Sequence, residues 1–132
     1  MYYLVILYRY LKFVYKPTPM TNKMLQFVDI GQQNPPKRDK SQRKEDFGEI
    51  YQEFIHGRAK EQSSRCSQCG VPFCQVHCPL SNNIPDWLKL TAEGRYEEAY
   101  HLSQSTNNMP EVCGRICPQD RLCEGNCVIE QS

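Results

Sequence analysis

All eight cysteines of this 132-residue chain fall between Cys66 and Cys127, in two groups of four. The first passage, RCSQCGVPFCQVHCP, spaces Cys66, Cys69, Cys74 and Cys78 as C-x2-C-x4-C-x3-C-P. The second, EVCGRICPQDRLCEGNC, spaces Cys113, Cys117, Cys123 and Cys127 as C-x3-C-P-x4-C-x3-C. Each group has two close cysteines, a third after four or five residues, and a fourth after three more. This is a rough internal duplication of a four-thiolate unit. Leu, Ile, Val and Phe make up only 28 of the 132 residues, just above the roughly one-fifth below which chains tend to be disordered. Apolar burial is therefore thin, and cross-links or metals must take the place of a core.

Three chemistries compete for the thiols. An even cysteine count in a short chain permits a disulfide scaffold. No secretory signal is present, however, and a reducing compartment would keep the thiols free. The two residues between Cys66 and Cys69 would also strain a bridge, while suiting a chelate. Structural zinc could use all eight thiolates in two sites. Zinc sites usually pair two short knuckles, whereas four successive cysteines closing on Cys-Pro form a different signature. The third chemistry is a pair of [4Fe–4S] clusters, and the spacing favours it. The two-cluster ferredoxin run is C-x2-C-x2-C-x3-C-P, with its fourth cysteine on the other cluster. The first passage matches that run except for a longer central gap, and soft thiolates suit iron–sulfur iron.

On that pattern Cys66, Cys69 and Cys74 hold cluster 1, completed by Cys127. Cys78 crosses to cluster 2 and joins Cys117 and Cys123. The prolines after Cys78 and Cys117 bar helix continuation. Cys113 stands open: internal symmetry makes it the fourth ligand of cluster 2, while its three-residue gap to Cys117 suits a neighbour on the same helical face. His77 is expected to be a hydrogen-bonding or solvent-facing neighbour rather than a ligand. His56 and His101 are expected at the surface.

The two parts of the chain differ in charge. Residues 1–65 carry 12 basic and 7 acidic side chains, and residues 66–132 carry 4 and 8. The near-zero total excludes a general field for nucleic acid or membrane. The opening MYYLVILYRYLKFVY is apolar but interrupted by Arg9 and Lys12. Its uninterrupted run is far short of the roughly 20 residues that span a bilayer, so no stable membrane insertion is expected. Residues 1–19 are read as an unmatched extension, with Met20 the expected start, ahead of a weak membrane-surface anchor.

Residues 20–44 read as an extended basic arm. Within it GQQNPPKRDKSQRK is a linker in which Pro35-Pro36 excludes helix. Its Lys37, Arg38, Lys40, Arg43 and Lys44 are expected to form a solvated face or partner contact. No stacking aromatics accompany them, so nucleic acid is not expected. Residues 45–132 read as the helical domain. Phe47, Ile50, Tyr51, Phe54 and Ile55 predict a helix near Glu45 to Gln62.

Residues 79–112 predict a helical hairpin. Ile84-Pro85-Asp86 opens the first helix, and Gly94 closes it. A second helix runs from about Arg95 to Ser105. Trp87 and the hairpin tyrosines are expected to be core. The fold class is all-α, a small helical domain organised around its clusters. No Gly-rich nucleotide loop and no Ser/His/Asp set is present, so the chain reads as an electron conduit without a substrate site.

The passages RCSQCGVPFCQVHCPLSNNIPDWLKL and TNNMPEVCGRICPQDRLCEGNC closely resemble the N-terminal domain of the NADPH-dependent glutamate synthase small (beta) subunit family. They are also similar to the N-terminal domain of dihydropyrimidine dehydrogenase. IPDWLKL and CPQDRLCEG favour the former. The resemblance runs from Met20, where MTNKMLQFVDIGQQNPPKRD is similar to the small subunit's opening, to Ser132. It implies an alpha-helical ferredoxin-like fold and the same placement of Cys66, Cys69, Cys74 and Cys127 against Cys78, Cys117 and Cys123.

It further implies electron flow from NADPH through FAD in a downstream domain, then through the clusters to the large (alpha) subunit, in the cytoplasm. In relatives the fourth ligand of the second cluster can be a Glu or Gln downstream of the last cysteine, which would put it beyond Ser132. The FAD and NADPH domain is expected to be absent from this chain, which alone is expected not to be catalytic.

Overall fold

The computed structural model describes residues 23–54 and 56–131. The expectations for residues 1–19 and for Met20 lie outside the described residues. Among the described residues six helices follow one another: α1 (Lys40–Glu45), α2 (His56–Ser63), α3 (Phe73–Val76), α4 (Ile84–Glu93), α5 (Tyr96–Gln104) and α6 (Pro110–Ile116), with 3-10 turns at Gln26–Val28 and Gln119–Arg121. Among the same residues there is no strand, and β pairing amounts to one isolated antiparallel bridge, Lys37 to Tyr51.

The hairpin forms as its sequence predicts. Pro85 stands in the first turn of α4, where a missing N–H costs nothing, and Asp86 lies in the same turn, at the positive end of the helix. Gly94 adopts φ 78°, and the N–H groups of Gly94 and Arg95 return to the carbonyls of Thr91 and Leu90. This left-handed stop turns the chain into α5. Arg95 fastens the corner by pairing with Glu93 and Glu98. At the other end Asn82 Nδ2 donates to the Ser103 carbonyl and to Thr106 Oγ1, so the hairpin is tied at both ends.

Helix α4 is the hub, packing on α5, on α2 and more lightly on α3. The apolar core is small: Ala92 is wholly buried and Ala99 nearly so. Beside them lies a buried polar corner, Ser63, Ser64 and Arg65. The thin apolar inventory is thus realised as a thin core. Tyr100 is 53% exposed, which corrects its expected core role; Tyr96 is half-buried and bonds the His56 carbonyl.

The helix expected over Glu45 to Gln62 is not formed as one element. Lys40–Glu45 is helical, residues 46–54 form no helix, and a second helix starts at His56. Local acceptors capture the N–H groups a helix would need. Asp46 takes the Gly48 N–H, and Glu49 takes the Tyr51 N–H. The stretch then pairs with the arm, Arg38 N–H to the Ile50 carbonyl and Gln52 N–H to the Pro36 carbonyl. Phe47 stands in solvent rather than on an apolar face.

Residues 25–33 are bonded to the body. Leu25 and Gln26 donate backbone N–H groups to the carbonyls of Cys66 and Ser64. Arg65 Nε donates to the Ile30 carbonyl, and Gln62 bonds both the Gly31 carbonyl and the Gln33 N–H.

Candidate metal centre

Every cysteine is a free, half-buried thiol. Cys66 and Cys69 lie in the loop after α2, Cys74 is within α3, and Cys78 follows that helix. Helix α3 ends at Val76, before Cys78-Pro79, and α6 ends at Ile116, leaving Cys117 extended (ψ 130°) ahead of Pro118. The prolines therefore act as their placement predicts. Cys113 lies within α6, and its carbonyl accepts the Cys117 N–H at 3.0 Å. Cys123 and Cys127 follow the 3-10 turn in a tight series of turns, in which the Cys127 N–H returns to the Glu124 carbonyl at 2.9 Å.

Four of these thiols, Cys66, Cys74, Cys123 and Cys127, line one cavity of about 390 Å³. Ile84, Trp87 and Leu88 of α4 supply an apolar wall, the arm contributes Gln32, Gln33 and Asn34, and Arg65 lines the same space. Gln32 Nε2 donates to Glu124 Oε1 at 2.7 Å, joining the arm to the last cysteine loop. Trp87 lines this cavity half-buried, its indole N–H on Asn82 Oδ1, so it is a wall residue rather than plain core.

Burial dominates the electrostatics of the thiols. It pushes the Cys74 thiol up to about 11 and raises Cys66 and Cys123. Smaller raising contributions come from neighbouring thiol charges. Cys66 is raised by Cys127 and Cys69, and Cys74 by Cys127, Cys66 and Cys123. Cys123 is raised by Cys117 and Cys78. N–H and O–H groups also reach sulfur: Ser67 Oγ lies 2.9 Å from Cys69 Sγ, and Gln68 lies against Cys66.

His77 is exposed and its Nδ1 lies 2.9 Å from the Phe73 carbonyl, as expected for a neighbour. His56 and His101 are exposed. Spacing carries no signal for Gln32, Arg65, Gln68 or Glu124. The wall to which Gln32, Arg65 and Glu124 contribute depends on how the arm docks, and polar residues in a linker-like stretch carry no mark of that.

The donor set suits a soft metal group. Among the described residues, no three His, Cys, Asp or Glu side chains gather as a site for a metal ion. A [4Fe–4S] group asks for one thiolate on each of four irons, and thus for donors spread around a space rather than packed on one ion.

A chain whose described residues are helical and without a strand, with four half-buried thiols lining one cavity, falls in the class of small all-α thiolate domains. The chain belongs to the family described as dihydropyrimidine dehydrogenase domain II, 4Fe–4S cluster, whose model matches residues 43–132. It is therefore an iron–sulfur domain. It is 72% identical over 110 residues to the glutamate synthase [NADPH] small chain of Azospirillum brasilense, covering 83% of this chain. It is 53% identical over 110 residues to the Escherichia coli K12 protein of the same name, again over 83% of this chain. It is 47% identical over 96 residues to the putative oxidoreductase AegA of E. coli K12, covering 72% of this chain and 15% of that protein. The chain spans 23% of the length of the two glutamate synthase small chains. No helix among the described residues is long and apolar enough to cross a membrane.

Proposed function

We propose that this chain carries electrons through two [4Fe–4S] clusters, as the N-terminal domain of a cytoplasmic NADPH-dependent glutamate synthase small subunit. Residues 45–132 form the two-cluster domain, residues 20–44 its arm, and residues 1–19 an extension. Cys66, Cys69, Cys74 and Cys127 would hold the first cluster. Cys78, Cys117 and Cys123 would hold the second, with Cys113 or a group from outside this chain as the fourth ligand. Such groups, when bound, take up and release single electrons.

The iron–sulfur family match over residues 43–132 supports this reading, together with the meeting of the two cysteine groups at one cavity, where Cys66 and Cys74 stand with Cys123 and Cys127. The chain's own residues offer half-buried sulfurs and an apolar wall at Ile84, Trp87 and Leu88 that limits water at the cavity.

On this reading the electrons come from NADPH by way of FAD and pass to the glutamate synthase large subunit, and no NADPH oxidation is expected of residues 45–132 by themselves. Identity to AegA supports a second reading, the same domain in another NAD(P)H–flavin oxidoreductase; co-purification with the large subunit separates the two.

Anaerobic reconstitution followed by iron, sulfide and zinc analysis tests the proposal. About eight iron and eight sulfide per chain is the expected content of two cubane clusters. About four of each means that one site is incomplete within this chain. A colourless zinc protein that resists iron loading would defeat electron transfer.

A further inference from the structure

The loop between Cys66 and Cys69 holds Gln68 at φ 51°. This is the left-handed region, which residues with a side chain seldom occupy. The turn aims two donors at one sulfur. The Gln68 backbone N–H reaches Cys66 Sγ with N···S 3.5 Å, and the side-chain Nε2 does so at 3.4 Å. The same Nε2 also donates to the Pro85 carbonyl at 2.7 Å. Flipping the amide would set its oxygen against that carbonyl, so the NH2 end stays on sulfur. Pro85 is buried in the first turn of α4, which fixes the amide to the hairpin. Ser67 Oγ at Cys69 differs, because a hydroxyl can turn and either atom can donate. Burial pushes the Cys66 thiol up, and both Gln68 bonds oppose that shift.

We propose that Gln68 is a positioning residue that raises the reduction potential of the group bound at Cys66, an inference that rests on the iron–sulfur reading above. Hydrogen bonds to ligand sulfur are one of the protein's levers on cluster potential. A donor dipole favours the form with more negative charge on sulfur, which is the reduced form. Without the donors, reduction becomes harder.

The test is an EPR-monitored redox titration of the full chain, reconstituted anaerobically, with iron and sulfide assayed on the same samples. The variants are Gln68→Leu and Gln68→Glu. Gln68→Leu is expected to keep its iron and to lower the midpoint of the Cys66-site signal alone. Gln68→Glu is expected to lower it further, because a carboxylate brings negative charge in place of a donor. An unchanged midpoint in Gln68→Leu at full iron content overturns the proposal.

Should either variant fail to hold iron, a chain that keeps Gln68 decides. With glutamine labelled with 15N only in the side-chain amide, and with the cavity glutamines Gln32, Gln33, Gln62 and Gln119 replaced by Asn, pulsed EPR of the reduced protein is expected to show a 15N coupling. Its absence refutes the contact. A wild-type chain that takes up no iron or sulfide sinks this proposal and the function beneath it, and the metal analysis tells that failure apart.

Discussion

Gly125 lies between Cys123 and Cys127, and what constrains it is space rather than backbone angle. A Cβ built there would stand 1.9 Å from the Asp120 carbonyl oxygen and 2.8 Å from its carbon, where ordinary contact begins at 3.4 Å. Both atoms are backbone, so no side chain can swing away. In Gly125→Ala the turn must open by roughly 1.5 Å, and overpacking of this kind costs about 1–3 kcal/mol. The opening also strains the bonds from the Glu124 and Gly125 N–H groups to the Gln119 carbonyl, at 2.9 and 3.3 Å. Each lost bond adds about 1 kcal/mol.

A loss near 3 kcal/mol corresponds to a fall in Tm of roughly 10 °C or more for a chain of this size. Because Cys123 and Cys127 flank the turn, iron and sulfide uptake should fall at both proposed sites. Thermal unfolding followed by circular dichroism, with metal analysis of the reconstituted protein, measures both effects. Gly114 in α6 supplies the comparison, since a Cβ there meets nothing within 4 Å. A Gly125→Ala chain that melts with the wild type and binds full iron would refute the reasoning.

Gly114→Ala should instead stabilise the chain by about 0.5–1 kcal/mol, the helix-propensity difference, read as a raised Tm. Ala92→Leu places extra methyl groups at a wholly buried position and should cost about 1–3 kcal/mol, measured by urea denaturation. Arg38 in a two-bond contact, with help from the Gly48 N–H, holds the Asp46 carboxyl down at about 2. Its folded pKa lies below the unfolded one near 3.9, so its stabilisation of the 37–51 pairing is present above about pH 4 and is lost as pH falls through 2. The Asp46 carboxyl carbon shift should titrate near 2, and a midpoint near 4 would exclude the contact. Cys74→Ser should lower iron and sulfide by about four each per chain, if the thiol belongs to one cubane.

What could be read from the residues was whatever is local. The α4–α5 hairpin announces itself through Pro85, Asp86 and Gly94, each acting within one turn of its own position. The meeting of the two cysteine groups is legible too, because the hairpin returns the chain and brings Cys123 and Cys127 to one cavity with Cys66 and Cys74. The segment after Glu45 misleads for a physical reason. Phe47, Ile50, Tyr51 and Phe54 do recur at helical spacing, yet Asp46 and Glu49 divert nearby N–H groups to their own carboxylates. The arm then offers the same stretch backbone partners at Pro36 and Arg38. Docking of residues 25–33 was hidden because main-chain bonds leave no signature in residue type. Gln68 was hidden too, since a left-handed glutamine looks like any other in sequence.

The bond between Gln32 and Glu124 joins residues 92 positions apart, and this sets an order of events during synthesis. The ribosome releases Cys66, Cys69 and Cys74 long before Cys123 and Cys127. Until the last loop emerges, the early thiols have an arm and a hairpin but no opposite wall. Iron delivery to a nascent chain would meet an open, oxidisable half-site. The wall that closes over Cys66 and Cys74 is therefore complete only when nearly the whole domain has been synthesised.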